Sequence, residues 1–160
     1  MRFKRLATRP AGLLALSILL SSALALMAHA TAPEGRYKVA ATEVTDRRTG
    51  LIWQRATNAP LDFASARSCP GLESVAGSSW RLPTAAELVT LVDVTQVEPA
   101  IDTDAFPDTE LEPYWTSTAY ADPAEPNNYW AVDFEDGTAG PHSAGQQMPY
   151  RCVRTAAVLP

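Results

Sequence analysis

The sequence predicts an α+β domain with two short early helices, a mainly antiparallel set of later strands and one disulfide. Three observations carry that prediction. "WRLPTAAELVTLVDV" (80–94) is a capped, amphipathic helix, "NYWAVDF" (128–134) alternates as a strand, and Cys69 and Cys152 are the only cysteines in the chain.

The first thirty residues read as a leader. Arg2, Lys4, Arg5 and Arg9 precede the uncharged apolar run "AGLLALSILLSSALALM", and Ala28-His29-Ala30 follows as a small-x-small cleavage pattern. A basic start, an apolar middle and such an end describe a secretory signal peptide over 1–30. The competing reading is an uncut anchor, for which the apolar run is near the lower limit of a spanning helix. Export predicts a periplasmic, cell-surface or extracellular protein with no membrane span after cleavage.

Charge narrows the partners. The chain holds 13 Lys+Arg and 18 Asp+Glu, for a net charge of −5. Four of those bases and no acid lie in 1–30, so the exported part carries nine bases against eighteen acids, a net −9. This disfavours nucleic acid, anionic membrane and sulfated polysaccharide as bulk electrostatic partners. An oxidising destination makes a Cys69–Cys152 disulfide the expected use of the two cysteines. The alternative is a reactive or metal-binding thiol pair, for which the chain offers no CxxC.

Each element follows from local signals. "GRYKVAATEVTD" (35–46) alternates weakly as a strand entry, and "RRTGLIWQ" places a Thr49-Gly50 turn before a short buried strand at Leu51, Ile52 and Trp53. "LDFASARSC" (61–69) reads as a short helix capped by Asp62, with Phe63, Ala66 and Cys69 on its inner face. In the second helix Thr84 and Glu87 form a capping box, and Pro83 stands just before the cap. Leu88, Leu91 and Val92 share its apolar face. Residues 95–113 are acidic and proline-bearing and read as a long ordered loop. "YWTSTAY" (114–120) is aromatic and β-branched, a strand. In 128–134 the pattern sets Trp130, Val132 and Phe134 inward and Tyr129, Ala131 and Asp133 outward, a half-buried strand that ends in an Asp136-Gly137 turn. "AGPHSAGQQ" reads as a glycine-rich loop and "PYRCVR" (149–154) as a single closing strand.

Four of these segments in order, "VTDRRTGLIWQ" (44–54), "WRLPTAAEL" (80–88), "YWTST" (114–118) and "YRCVR" (150–154), resemble the DUF1566 family, also called the Lcl C-terminal domain. "NYWAVDFEDG" fits the same pattern, so the resemblance covers 36–155. Phe63 departs from it, standing where the family usually has Trp. The resemblance implies a compact C-type-lectin-like fold in an exported bacterial protein. The best-known relative is an adhesin domain that binds host glycans, so the implied function is non-catalytic ligand binding or adhesion, with a glycan or a protein as partner. "RLPT" with Glu87 also resembles the formylglycine-generating, sulfatase-modifying enzymes, which use a late cysteine pair to hold copper. A degenerate enzyme of that type is the enzymatic alternative. No second cysteine lies near Cys152 to support it.

The candidate sites divide by chemistry. Glu125-Pro126-Asn127-Asn128 matches the calcium and sugar signature of mannose-type C-type lectins, with Asp133 as a further oxygen. A weak calcium-dependent carbohydrate binder is therefore a second alternative. The Trp-Asn-Asp triplet that completes such sites is replaced here by Trp130-Ala131-Val132. Asp102, Asp104 and Asp108, with Glu110 and Glu112 nearby, supply hard oxygens of the kind calcium takes, without EF-hand spacing. No cofactor is expected, and calcium is the one metal these residues suit. Trp53, Trp80, Trp115 and Trp130 suit either a sugar-stacking platform or the core, and the core is expected for three of the four. Arg81 could stand in a ligand pocket, but its place just before a helix cap favours a structural role, bonding backbone carbonyls or a carboxylate such as Glu87 or Asp93. His142 has no nucleophile or metal motif around it, so no catalytic constellation is expected.

Overall fold

The computed structural model describes residues 33, 35–73 and 78–156. The predicted leader, 1–30, lies outside the described residues. Nine strands and two helices follow in the order β1 (Tyr37–Val39), β2 (Glu43–Asp46), β3 (Leu51–Gln54), β4 (Asn58–Leu61), α1 (Phe63–Ala66), α2 (Ala85–Val89), β5 (Pro113–Ala119), β6 (Asn128–Asp133), β7 (Ala139–Ser143), β8 (Met148–Tyr150) and β9 (Val153–Thr155). They form three antiparallel sheets: β1-β2-β3-β9, β4-β8 and β5-β6-β7. The α+β class, the two short helices and the single disulfide all stand.

Both helices are built as their caps dictate. Asp62 accepts a hydrogen bond from the Ser65 amide at 2.8 Å and starts α1, whose Phe63 and Ala66 turn inward with Cys69. Thr84 Oγ1 accepts from the Glu87 amide, and Glu87 Oε2 accepts from the Thr84 amide at 2.8 Å, closing the box before α2. Leu88 and Leu91 are fully buried, while Val92 is only partly so.

Two core clusters organise the interior. The first gathers Val44, Trp53, Leu88, Leu91, Ile101, Phe106, Tyr114, Val132, Phe134 and Val153. The second gathers Phe63, Ala66, Cys69, Leu82, Trp115, Ala131, Tyr150 and Cys152. Neighbouring residues of β5 and β6 point to opposite clusters, Tyr114 and Val132 to the first, Trp115 and Ala131 to the second. The sheet thus lies between two cores. This corrects the half-buried reading of 128–134: Ala131, expected outward, is 1 % exposed because α1 and the disulfide cover that face.

The disulfide Cys69–Cys152 spans 83 residues with a Cα separation of 6.2 Å. Gly137 follows β6 at φ +82°, and a Cβ there would meet Val92 Cγ1 at 2.6 Å, so both the turn and the close approach of α2's flank require glycine.

Three further expectations change. "GRYKVAATEVTD" is a hairpin of two strands rather than one entry strand. "PYRCVR" is not one strand: β8 pairs with β4, β9 pairs with β3, and the chain switches sheets at Arg151-Cys152. The buried Arg151 side chain holds that switch, donating to the carbonyls of Gln54 and Arg55 and to the hydroxyls of Thr57 and Thr109. "AGPHS" is strand β7 rather than loop, an edge strand in which Pro141 stands opposite Trp130. An edge tolerates proline because one row of amides needs no partner there. β4, "NAPL", had no predicting signal for the same kind of reason, since it contains Pro60 and pairs with a single short strand.

Candidate functional site

The two faces of the β5-β6-β7 sheet end in different surfaces. Trp130 shares a face with Val132 and Phe134 but lies one pleat before Val132 in β6, outside the first core. There it is half-buried and meets Tyr120 edge-to-face, with ring centroids 5.6 Å apart. Tyr120, Ala121, Asp122, Pro123 and Trp130 line a shallow concavity of about 440 Å³. The loop beneath it is ordered by its own backbone and side chains. Asp122 Oδ1 accepts from the Ala124 amide at 2.8 Å, and the Ala144 amide donates to Asn127 O at 2.9 Å.

The lectin-like residues sit on this loop, but they are not assembled as a metal shell. Asn128 Nδ2 donates to Glu125 Oε2 at 2.5 Å, so these two side chains are joined to each other. Asp133 is at the far end of β6 from Asn128. At roughly 3.3 Å per residue that separation is about 17 Å. Asp133 Oδ1 accepts instead from the Glu135 amide in the following turn.

The acidic loop spends its carboxylates on the chain. Asp102 is 6 % exposed and accepts from the amides of Asp104 and Ala105, both at 3.0 Å. Asp108 accepts from the Thr57 amide and lies 3.6 Å from Arg151 Nη2. Asp104 is exposed beside that turn. Among the described residues no group of three or more His, Cys, Asp or Glu side chains stands close enough to share a metal ion. The sequence pattern grouped these acids by position along the chain, and the fold spends Asp102 and Asp108 on backbone amides.

Of the tryptophans, Trp53 and Trp115 are fully buried, whereas Trp80 and Trp130 are part-exposed. The expected three in the core become two, because Trp80 covers the Arg154 guanidinium at 5.2 Å instead of entering a cluster fully, and Trp130 forms the shelf. Trp115 Nε1 donates to Leu61 O at 2.8 Å and so fixes α1's approach. Arg81 pairs with Glu87 and also lines a cleft on the other face of the sheet. Its fork takes both Glu87 oxygens at 2.8 and 2.7 Å, and the same nitrogen reaches Leu82 O. That hydrogen-bonded pair, with the capping amide, holds the Glu87 carboxyl below its ordinary range. His142 lies in β7 opposite Tyr129, not in a loop.

A second concavity of about 350 Å³ opens on the other face of the sheet, lined by Phe63, Arg67, Arg81, Leu82, Ser117 and Tyr129. Sequence reasoning missed it. Arg67 and Tyr129 are 62 positions apart in the chain, and the packing of α1 on β6, including the stack of Phe63 on Tyr129, brings them to one cleft.

A small disulfide-stapled α+β domain is thus defined, with its open surface at the loop end of a central three-stranded sheet. The chain belongs to the Lcl C-terminal domain family, whose model matches residues 42–154, well over half of the sequence. No curated protein and no solved structure matches it. Among the described residues no helix is long and apolar enough to cross a membrane.

Proposed function

We propose that the protein is an exported, non-catalytic binding domain with a C-type-lectin-like fold, acting at the cell envelope or outside it, and that its ligand is a glycan or glycan-bearing protein. The observation that carries the reading is the part-exposed Tyr120–Trp130 pair over an ordered polar loop. Aromatic faces half in water bind the apolar faces of sugar rings, and neighbouring carboxylates and amides accept and donate to their hydroxyls. Asp122 and Asn127 stand at that loop as such groups. Family membership supports a binding role, and the closure of both cysteines into one bridge removes the thiols that the sulfatase-modifying alternative needs for copper.

No cofactor enters this reading. The pairing of Glu125 with Asn128 and the remoteness of Asp133 argue against the calcium-dependent variant. A glycan and matrix-protein array probed with the protein tests the proposal. Binding to a defined set of glycans that is lost in Trp130→Ala is expected, and an empty array, or binding that Trp130→Ala leaves intact, overturns it. A rise in melting temperature at millimolar calcium would restore the calcium reading, since a ligand of the native state must stabilise it.

A further inference from the structure

The cleft on the opposite face of the sheet has a chemistry that the shelf lacks. Its floor is aromatic: Phe63 stacks on Tyr129 with centroids 3.5 Å apart and an interplanar angle of 19°. Leu82, 2 % exposed, forms an apolar wall. The polar groups at its rim are the guanidiniums of Arg67 and Arg81 and the hydroxyl of Ser117, and no carboxylate is among the lining residues. Arg81 is offset by Glu87. Arg67 is exposed at the C-terminal cap of α1 and has no ion pair among the described residues.

Arg67 shares the cleft lining with the Phe63 and Tyr129 rings and has no ion pair among the described residues, in a chain where acids outnumber bases. The guanidiniums of the interior, by contrast, are spent on the fold: Arg36 on Asp46, Arg151 on carbonyls and hydroxyls, Arg154 on Glu43. Ser117 Oγ donates to Pro83 O at 3.1 Å, which leaves its oxygen lone pairs free to accept. The volume falls at the lower end of small-molecule sites, which are mostly apolar with a few convergent polar groups.

We propose that this cleft is a second binding site, for a small carboxylate carried on a flat apolar body. The body stacks against the Phe63–Tyr129 floor and Leu82, and the carboxylate takes the Arg67 guanidinium, the planar fork that matches it in geometry. The site is separate from the Tyr120–Trp130 shelf, which faces the other side of β6, and it stands whether or not that shelf binds glycans.

The test is a titration of the protein with phenylacetate and with its neutral isostere phenylacetamide, followed by the NMR shifts of Tyr129 and the Arg67 side chain. Phenylacetate is expected to bind about threefold or more tighter than phenylacetamide, the scale of one ion pair made by an exposed guanidinium. Arg67→Gln is expected to erase that difference, and its exposed position keeps the fold intact. Trp130→Ala is expected to leave it unchanged. A parallel titration with N-acetylglycylphenylalanine assigns the source: equal or tighter binding points to a peptide C terminus, weaker binding to a free small acid. Equal affinity for the acid and the amide, no binding of either, or a preference that survives Arg67→Gln overturns the proposal.

Discussion

The switch at Arg151 and the shelf at Trp130 are both built around one large side chain, but on opposite terms. Arg151 is fully buried, and its guanidinium ties Gln54, Arg55, Thr57 and Thr109 together while lying 4.7 Å over the Phe106 ring. If it went, the Gln54 and Arg55 carbonyls would lose a charged donor, while Thr57 and Thr109 would keep their bonds to Tyr114 and the Phe106 carbonyl. Trp130 is part-exposed, and besides the sheet its named ring partner is Tyr120. The loop below the shelf is held by hydrogen bonds within itself and by one from the Ala144 amide to Asn127 O. The Arg151 side chain therefore serves the fold and presents nothing to solvent, while the Trp130 shelf presents surface. Binding surfaces belong with the second kind, since a side chain already consumed by the fold has nothing left to offer a ligand.

The sharpest way to break that comparison is Arg151→Met. The buried carbonyls and hydroxyls lose a charged donor, and a loss of about 3–5 kcal/mol in urea denaturation is expected. A loss below about 1 kcal/mol would show that the switch does not depend on this side chain. Next is the staple beside it. Cys69→Ser with Cys152→Ser is expected to cost about 2–4 kcal/mol, because the bridge closes an 83-residue separation and restrains the unfolded chain. The oxidised protein should also be lighter by two hydrogens than the reduced one on intact-mass measurement.

Acid sharpens the contrast within the fold. Burial raises the Asp46 pKa, but the Arg36 side chain and the Arg48 amide more than offset that and hold it below the ordinary 3.8. Arg81 does the same for Glu87 relative to 4.5. Both groups have depressed folded values, so their stabilisation is complete above those ordinary values and is lost as pH falls through the folded ones. Denaturation midpoints measured from pH 6 downward should fall below about pH 4. Asp46→Asn should start less stable and lose less over the same range. Thr84→Ala removes half of the capping box and is expected to cost about 1 kcal/mol. Last comes the shelf loop, where Glu125→Ala removes an exposed contact to Asn128 and should change stability by under about 0.5 kcal/mol. A larger loss there would mean the loop is tied to the core after all.

The elements that were legible are those whose cause is local. Thr84 and Glu87 sit three residues apart and form their box with no help from elsewhere. Asp62 caps α1 for the same reason, and Gly50 and Gly137 mark turns that need positive φ. The misreadings share another cause. β7 looked like a loop because glycine and proline dominate "AGPHS", yet an edge beside β6 accepts both. Asp102, Asp104 and Asp108 crowd the chain, yet Asp102 turns to the amides of Asp104 and Ala105 and Asp108 to Thr57 and Arg151. Alternation set Ala131 outward because a single strand cannot report a second layer on its other face.

What the sequence determined by itself is the class, the two caps, the Cys69–Cys152 pair and the family pattern, all fixed by neighbours in the chain or by there being only two cysteines to join. Only the tertiary structure decided which surfaces remain open. It placed β5 and β6 between two cores, left Trp130 outside one and set Arg67 at the rim of the other. Burial depends on what packs from distant parts of the chain, and no local pattern encodes that.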